Sequence, residues 1–275
     1  MNQLADRWHV NANATDTETS PILARDPVWN CFALADLEPP LRAYSQFALA
    51  SYDGGKAWAT CLILRHPIIG EVLSPSGHEE GIAAILREIA LPEHPLLQVQ
   101  EAHVPLLQHS YQPEPETSWG RLLRMALVSA SWLPQESPSP RPVQQLTLTD
   151  LPALQDFYSR HVGGRLSADL FAQGLYFGAY EGNRIIAAGG THALAHRSHL
   201  AVLGNILTAP AARRKGYATA ITSTLVAKLF EQGFSPVILN VFADNVNAIR
   251  VYQRLGFQTH HRLVTGKGVL RHDRM

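Results

Sequence analysis

An α/β fold in two domains is what this sequence predicts, and three observations lead there. β-rich apolar runs alternate with segments whose apolar residues recur at spacings of three and four, so strands and amphipathic helices follow one another. At 275 residues the chain is long for a single core. Between positions 134 and 142 stand four prolines in nine residues, Pro134, Pro138, Pro140 and Pro142, a composition that resists helix and central strand and favours an extended spacer. The expected division is an arm over 1–25, a first domain over 26–133, a linker over 134–142 and a second domain over 143–275.

Residues 1–25 are polar and without period, which predicts a mobile arm. From Pro27 a short helix through Trp29, Phe32, Ala33 and Leu37 is halted by Pro39 and Pro40. Strands over 44–52 and 57–64 are joined as a hairpin at Asp53-Gly54-Gly55. A third strand covers 68–73, and the helix over 79–89 puts Ile82, Ile85, Leu86 and Ile89 on one face. A strand over 96–99, a short helix over 102–109 and an apolar strand over 119–132 complete the first domain.

The second domain opens with a strand over 143–148 and a helix capped at Thr149 or Asp150, with Pro152 in its first turn. A short helix runs from Ser167 to Gln173, followed by a hairpin of 175–180 and 184–193. The strand over 199–208 leads into a helix whose Ile221, Leu225, Val226 and Leu229 form an apolar stripe. Val237 to Phe242 is a strand; Asn245 caps the last helix and Gly256 ends it in the left-handed region.

Chemistry concentrates between Leu203 and Thr219. Gly216 has no side chain and Ala218 almost none, and both stand where the first free amides of a helix point outward. With Arg213, Arg214 and Lys215 beside them, they make an anion site suited to a diphosphate. Gly-x-x-x-x-Gly-Lys-Ser/Thr and Gly-x-Gly-x-x-Gly are both absent. What stands instead, Arg213-x-x-Gly216-x-Ala218, resembles the acetyl-CoA signature of the GNAT superfamily of N-acetyltransferases, Arg/Gln-x-x-Gly-x-Gly/Ala. Asn245, Ala248, Tyr252, Gly256 and Phe257 match a second motif of that superfamily, Asn-x-x-Ala-x-x-x-Tyr-x-x-x-Gly-Phe. The resemblance spans residues 143–270 and is strongest from 200 to 258.

The resemblance implies a mixed sheet flanked by helices, preceded by an accessory α/β domain. That first domain loosely echoes the same element order but lacks both motifs, so no CoA site is expected there. It further implies that acetyl-CoA is the cosubstrate. The diphosphate would lie on the amides of Arg214, Lys215, Gly216, Tyr217, Ala218 and Thr219, with Arg213 helping or bracing the turn. Pantetheine would pair with Ile206, Leu207 and Thr208, and an amide near Leu207 would serve the oxyanion. Asn245 and Tyr252 would touch the cofactor, and Tyr252 would protonate the leaving sulfur. Where many members carry a glutamate base this chain has Val202, which leaves His192 as the local substitute, an imidazole titrating near neutrality. The expected function is transfer of acetyl to a primary amine, small molecule or peptide, by direct attack in a ternary complex. The alternatives are a non-catalytic acyl-CoA sensor or scaffold, and a transferase of longer acyl groups.

Charge and composition exclude other classes. Lys plus Arg and Asp plus Glu number 23 each, giving zero net charge with only 17% charged residues, which argues against nucleic-acid binding. Thirteen histidines are scattered without ligand spacing, so no metal is expected. Two cysteines, Cys31 and Cys61, lie outside both motifs and build no disulfide framework. The expectation is direct transfer by a cytoplasmic protein without membrane partners.

Overall fold

A computed structural model describes residues 8–52, 58–134, 139–161, 166 and 168–272. The expected turn at 53–55, residues 1–7 of the arm, linker positions 135–138 and the cap at Ser167 lie outside the described residues. In chain order the elements are β1 (Trp8–Asn11), α1 (Asp16–Leu23), α2 (Cys31–Ala35), β2 (Ser45–Tyr52), β3 (Trp58–His66), β4 (Gly70–Gly77), α3 (Glu79–Glu88), β5 (Leu96–Gln100), α4 (Val104–Leu107), β6 (Tyr111–Pro113) and β7 (Gly120–Leu127). There follow β8 (Gln144–Gln145), α5 (Leu151–His161), α6 (Ala168–Gln173), β9 (Tyr176–Glu181), β10 (Arg184–Ala195), β11 (Leu200–Thr208), α7 (Tyr217–Glu231), β12 (Val237–Phe242), α8 (Val246–Arg254) and β13 (Gln258–Leu270).

Contacts divide the chain into two units, Met1–Leu123 with His261–Met275, and Arg124–His260. Composition places a single boundary in the proline-rich segment; the contacts place the crossings inside β7 and β13 instead. The reason is pairing. Leu263 to Lys267 of β13 lie antiparallel to Leu96 to Gln100 of β5, so most of the last strand completes the first unit, where Leu263 is buried with Trp29 and Leu122.

In the first unit β1 to β4 are antiparallel neighbours and β5 joins β4 in parallel. Ile82 and Ile85 of α3 pack on Ile63 and Leu73 of the sheet, all fully buried. Within the expected mobile arm, Trp8–Asn11 is a strand and Asp16–Leu23 a helix. Thr15 caps α1 reciprocally: its Oγ1 accepts the Glu18 amide at 3.4 Å, and Glu18 Oε2 accepts the Thr15 amide at 2.8 Å. The polar residues that read as disorder are cap residues, which satisfy helix-end amides without adding an apolar period.

In the second unit the strand order is β7-β12-β11-β10-β9-β8, and the element order from β8 to α8 is the one expected from the sequence. Helices cover both sheet faces. A Cβ on Gly189 would meet Ile221 of α7, whereas a Cβ on its neighbour Gly190 would run into the Tyr176 ring. Tyr176 belongs to a cluster with Leu154, Phe157 and Tyr158 of α5. The stripe Ile221, Leu225, Val226 and Leu229 of α7 is fully buried. Ahead of α5, the capping box is made by Thr147 with Asp150, earlier by two residues than Thr149. Among the described residues no helix is long and apolar enough to cross a membrane.

Candidate active site

The turn after β11 is shaped by backbone. Pro210 opens a short 3-10 turn to Ala212, Arg213 returns to extended geometry, and Arg214 and Gly216 take left-handed φ of 62° and 83°. Gly216 caps α7 with no side-chain hydrogen bond, and no acidic residue stands in the first turn. A helix begun in this way leaves the amides of Tyr217, Ala218 and Thr219 without an acceptor inside the helix, at its positive end. Arg213, Arg214 and Lys215 are exposed around it. Arg213 Nε donates to the Thr208 carbonyl at 3.4 Å, so this side chain braces the turn.

The strand edge beside the turn is open. β11 and β12 pair in parallel at Ala201, Val202 and Leu203 against Val237, Ile238 and Leu239. Among the described residues their pairing ends there, although β11 continues to Thr208 and β12 to Phe242. On the other side β11 stays paired with β10. The Ala209 amide donates to the Ile186 carbonyl of β10 at 2.8 Å. By the alternation of an antiparallel ladder the Leu207 amide also faces β10, and the Thr208 amide and carbonyl face the open edge. Of the expected trio, Thr208 therefore offers its main chain to the crevice and Leu207 does not. Ile206 sits in a bulge between these two arrangements.

Two bulges face one another across β10 and β11. Asn205, at φ 55°, takes up an extra residue in β11. His192 does the same in β10, between Thr191 paired with Leu203 and Ala193 paired with Val202. The His192 ring lies on Gly204, where a Cβ would stand 2.6 Å from Nδ1. Solvent reaches the ring, yet enough protein surrounds it to hold its pKa below the ordinary histidine value, the condition of a side chain recessed in the surface. Val202 is buried at 1% exposure and has no proton to exchange.

Asn245 caps α8, its Oδ1 accepting the Ala248 amide at 3.1 Å. About two turns on, Tyr252 is buried with its ring edge toward Phe257, centroids 5.9 Å apart. Burial pushes its phenol up to about 12, so the proton is held at neutral pH. Gly256 takes φ 100°, and a Cβ there would run into the Ser131 carbonyl.

Three residues of this region escape a reading of the sequence. Tyr158 of α5 donates to the Asn205 carbonyl at 2.9 Å. Asn240, just past the last β11–β12 pair, accepts Nε of the buried Arg124 at 3.0 Å. An arginine inside the apolar run Leu122 to Leu127 was the one available signal. Among the described residues no group of three or more His, Cys, Asp or Glu could hold a metal ion.

An opened strand edge leading into a basic, glycine-capped helix start agrees with an independent match. Residues 141–257 fit the model of the acetyltransferase (GNAT) family. They form a GNAT domain.

Solved structures carry the same fold across both units. A GCN5-related N-acetyltransferase from Sphaerobacter thermophilus is 18% identical, with 96% of each chain covered and a TM-score of 0.61. A Drosophila protein is 13% identical, with 97% of this chain and 99% of that one covered and a TM-score of 0.67. A tandem GNAT protein from the clavulanic acid biosynthesis pathway is 12% identical, with 96% and 98% covered and a TM-score of 0.56. No curated protein matches the chain. Beyond its match, the GNAT domain here follows an α/β unit with its own core.

Proposed function

We propose that the GNAT domain transfers an acetyl group from acetyl-CoA to a primary amine by direct attack in a ternary complex. The observation that carries this reading is the run from the Thr208 edge, which among the described residues has no β12 partner, into the left-handed Gly216 cap. The first suits the amides of pantetheine, which pair like a short strand. The second suits the diphosphate. Val202, buried and inert, favours a second reading as an acyl-CoA sensor that binds without turnover.

In the enzymatic reading the amine lone pair attacks the thioester carbonyl and a C–N bond forms. The oxyanion is met by an amide of the β11 edge. Collapse breaks the C–S bond, and the sulfur leaves with the proton held by Tyr252. The amine proton passes to His192 or to water; an imidazole of lowered pKa is neutral at physiological pH and so in the basic form. The products are the acetylated amine and free CoA. A covalent relay has no nucleophile here, because Cys31 and Cys61 are buried in the first unit and burial pushes the Cys61 thiol up to about 12.

The first unit is assigned no cofactor. Its β4 also leaves β5 after two pairs, but α3 starts with Glu79 and Glu80 in the first turn. Two carboxylates already hold the positive end that a diphosphate would need. The test is thiol release with a panel of amines, beside acetyl-CoA binding by calorimetry. Turnover supports the enzyme, binding without turnover on any amine supports the sensor, and no binding removes both. Comparing acyl chain lengths decides between acetyl and longer groups.

A further inference from the structure

The bulge in β11 turns one carbonyl out of the ladder. From Gly204 to Leu207 three steps on β11 oppose two on β10, Gly190 to Ala188. Asn205 absorbs the surplus in the left-handed region, which asparagine tolerates better than most side chains. Its carbonyl receives the Tyr158 hydroxyl at 2.9 Å. Tyr158 is 5% exposed and set in the α5 cluster with Phe157 and Tyr176, so its ring has little freedom to swing away. Burial keeps its phenol protonated, a permanent donor.

Plain core satisfaction would serve any nearby carbonyl. This hydroxyl takes the one that precedes Ile206 and lies three residues ahead of Thr208, where the ladder changes phase and the edge amides acquire their direction. We propose that Tyr158 is a positioning residue for acyl transfer: through the Asn205 carbonyl it fixes the bulge, and with it the aim of the edge amides at the developing oxyanion. The inference rests on the reading of this edge as the thioester site. An amide turned slightly off line costs more at the oxyanion than in the ground state, because charge develops only there. The diphosphate grip at Tyr217 to Thr219 lies on the other side of the turn and is left as it was.

Tyr158→Phe keeps the ring and removes only the hydroxyl, so folding is retained and checked by a thermal melt. Steady-state kinetics should give a kcat lowered about tenfold, the effect of one good hydrogen bond on a rate. KM for acetyl-CoA and the shape of the pH profile should stay as in the wild type. Tyr180→Phe is the comparison: it removes a phenol bonded to Asp150 Oδ1 at 2.7 Å on β9, away from the bulge, and should leave kcat and KM unchanged. Amide hydrogen exchange at Ile206 should quicken in Tyr158→Phe alone. An unchanged kcat in Tyr158→Phe, an equal fall in Tyr180→Phe, or a loss wholly in KM overturns the inference while the wild type still turns over. A wild type that releases no thiol with any amine overturns the thioester reading, and this inference with it.

Discussion

Gly216 offers the sharpest perturbation of the anion cradle. It caps α7 at φ 83° and ψ −5° with no side chain of its own. An L residue forced into that region bears a strain of about 1–2 kcal/mol. If the turn holds its shape, Gly216→Ala loses that much stability and melts a few degrees lower. If the turn relaxes, the Tyr217 to Thr219 amides shift. Each charge-assisted hydrogen bond to a phosphate is worth about 1.5–3 kcal/mol, so losing one weakens acetyl-CoA binding roughly ten- to a hundredfold. Gly216→Glu adds repulsion. A carboxylate about 5 Å from one phosphate charge, at an effective dielectric near 20, costs about 3 kcal/mol, a further factor of about two hundred. The assay is calorimetric titration of acetyl-CoA into wild type, Gly216→Ala and Gly216→Glu, each checked by a melt. A folded Gly216→Glu that binds within about threefold of the wild type would refute the assignment of the diphosphate to this helix start.

Three more outcomes follow from the same site. Tyr252→Phe should lower kcat about a hundredfold, as loss of a general acid does, with acetyl-CoA affinity unchanged by calorimetry; an unaltered kcat takes Tyr252 out of the chemistry. If His192 is the base, kcat/KM rises with pH as the imidazole loses its proton and levels off above, with a midpoint below the usual histidine value because the surrounding protein desolvates the ring and favours its neutral form; His192→Ala should erase that limb, and a limb that persists assigns the base to another group. Asn245→Asp keeps a side-chain acceptor for the Ala248 amide and should melt like the wild type, whereas Asn245→Ala should lose about 1 kcal/mol. A drop in acetyl-CoA affinity in the Asp variant marks contact with the cofactor, and unchanged affinity reduces Asn245 to a cap.

Much of the second unit was legible because local rules and tertiary packing agree there. The α7 stripe, the Asn245 cap and the left-handed Gly256 each follow from residues within one turn of the feature. Residues 8–25 misled because a capping box is built from the same Thr, Asp and Glu that signal disorder. The proline-rich segment marked a change of composition, but membership of a unit is decided by strand pairing, and β5, with which β13 pairs, lies more than 150 residues back. Bulges are invisible to alternation, since a single surplus residue leaves the apolar pattern intact on either side. Hence Asn205, His192 and the Tyr158 clamp take their meaning only from the register of β10 on β11, and so does the turning of Thr208, rather than Leu207, toward the crevice.

The central claim is that one helix mouth and the strand edge leading to it hold a nucleotide thioester. A crystal structure with CoA tests it most directly. The diphosphate should accept hydrogen bonds from the amides of Tyr217, Ala218 and Thr219, with pantetheine running along Thr208. Density for CoA elsewhere, with this cradle vacant or filled by the protein's own side chains, would contradict it.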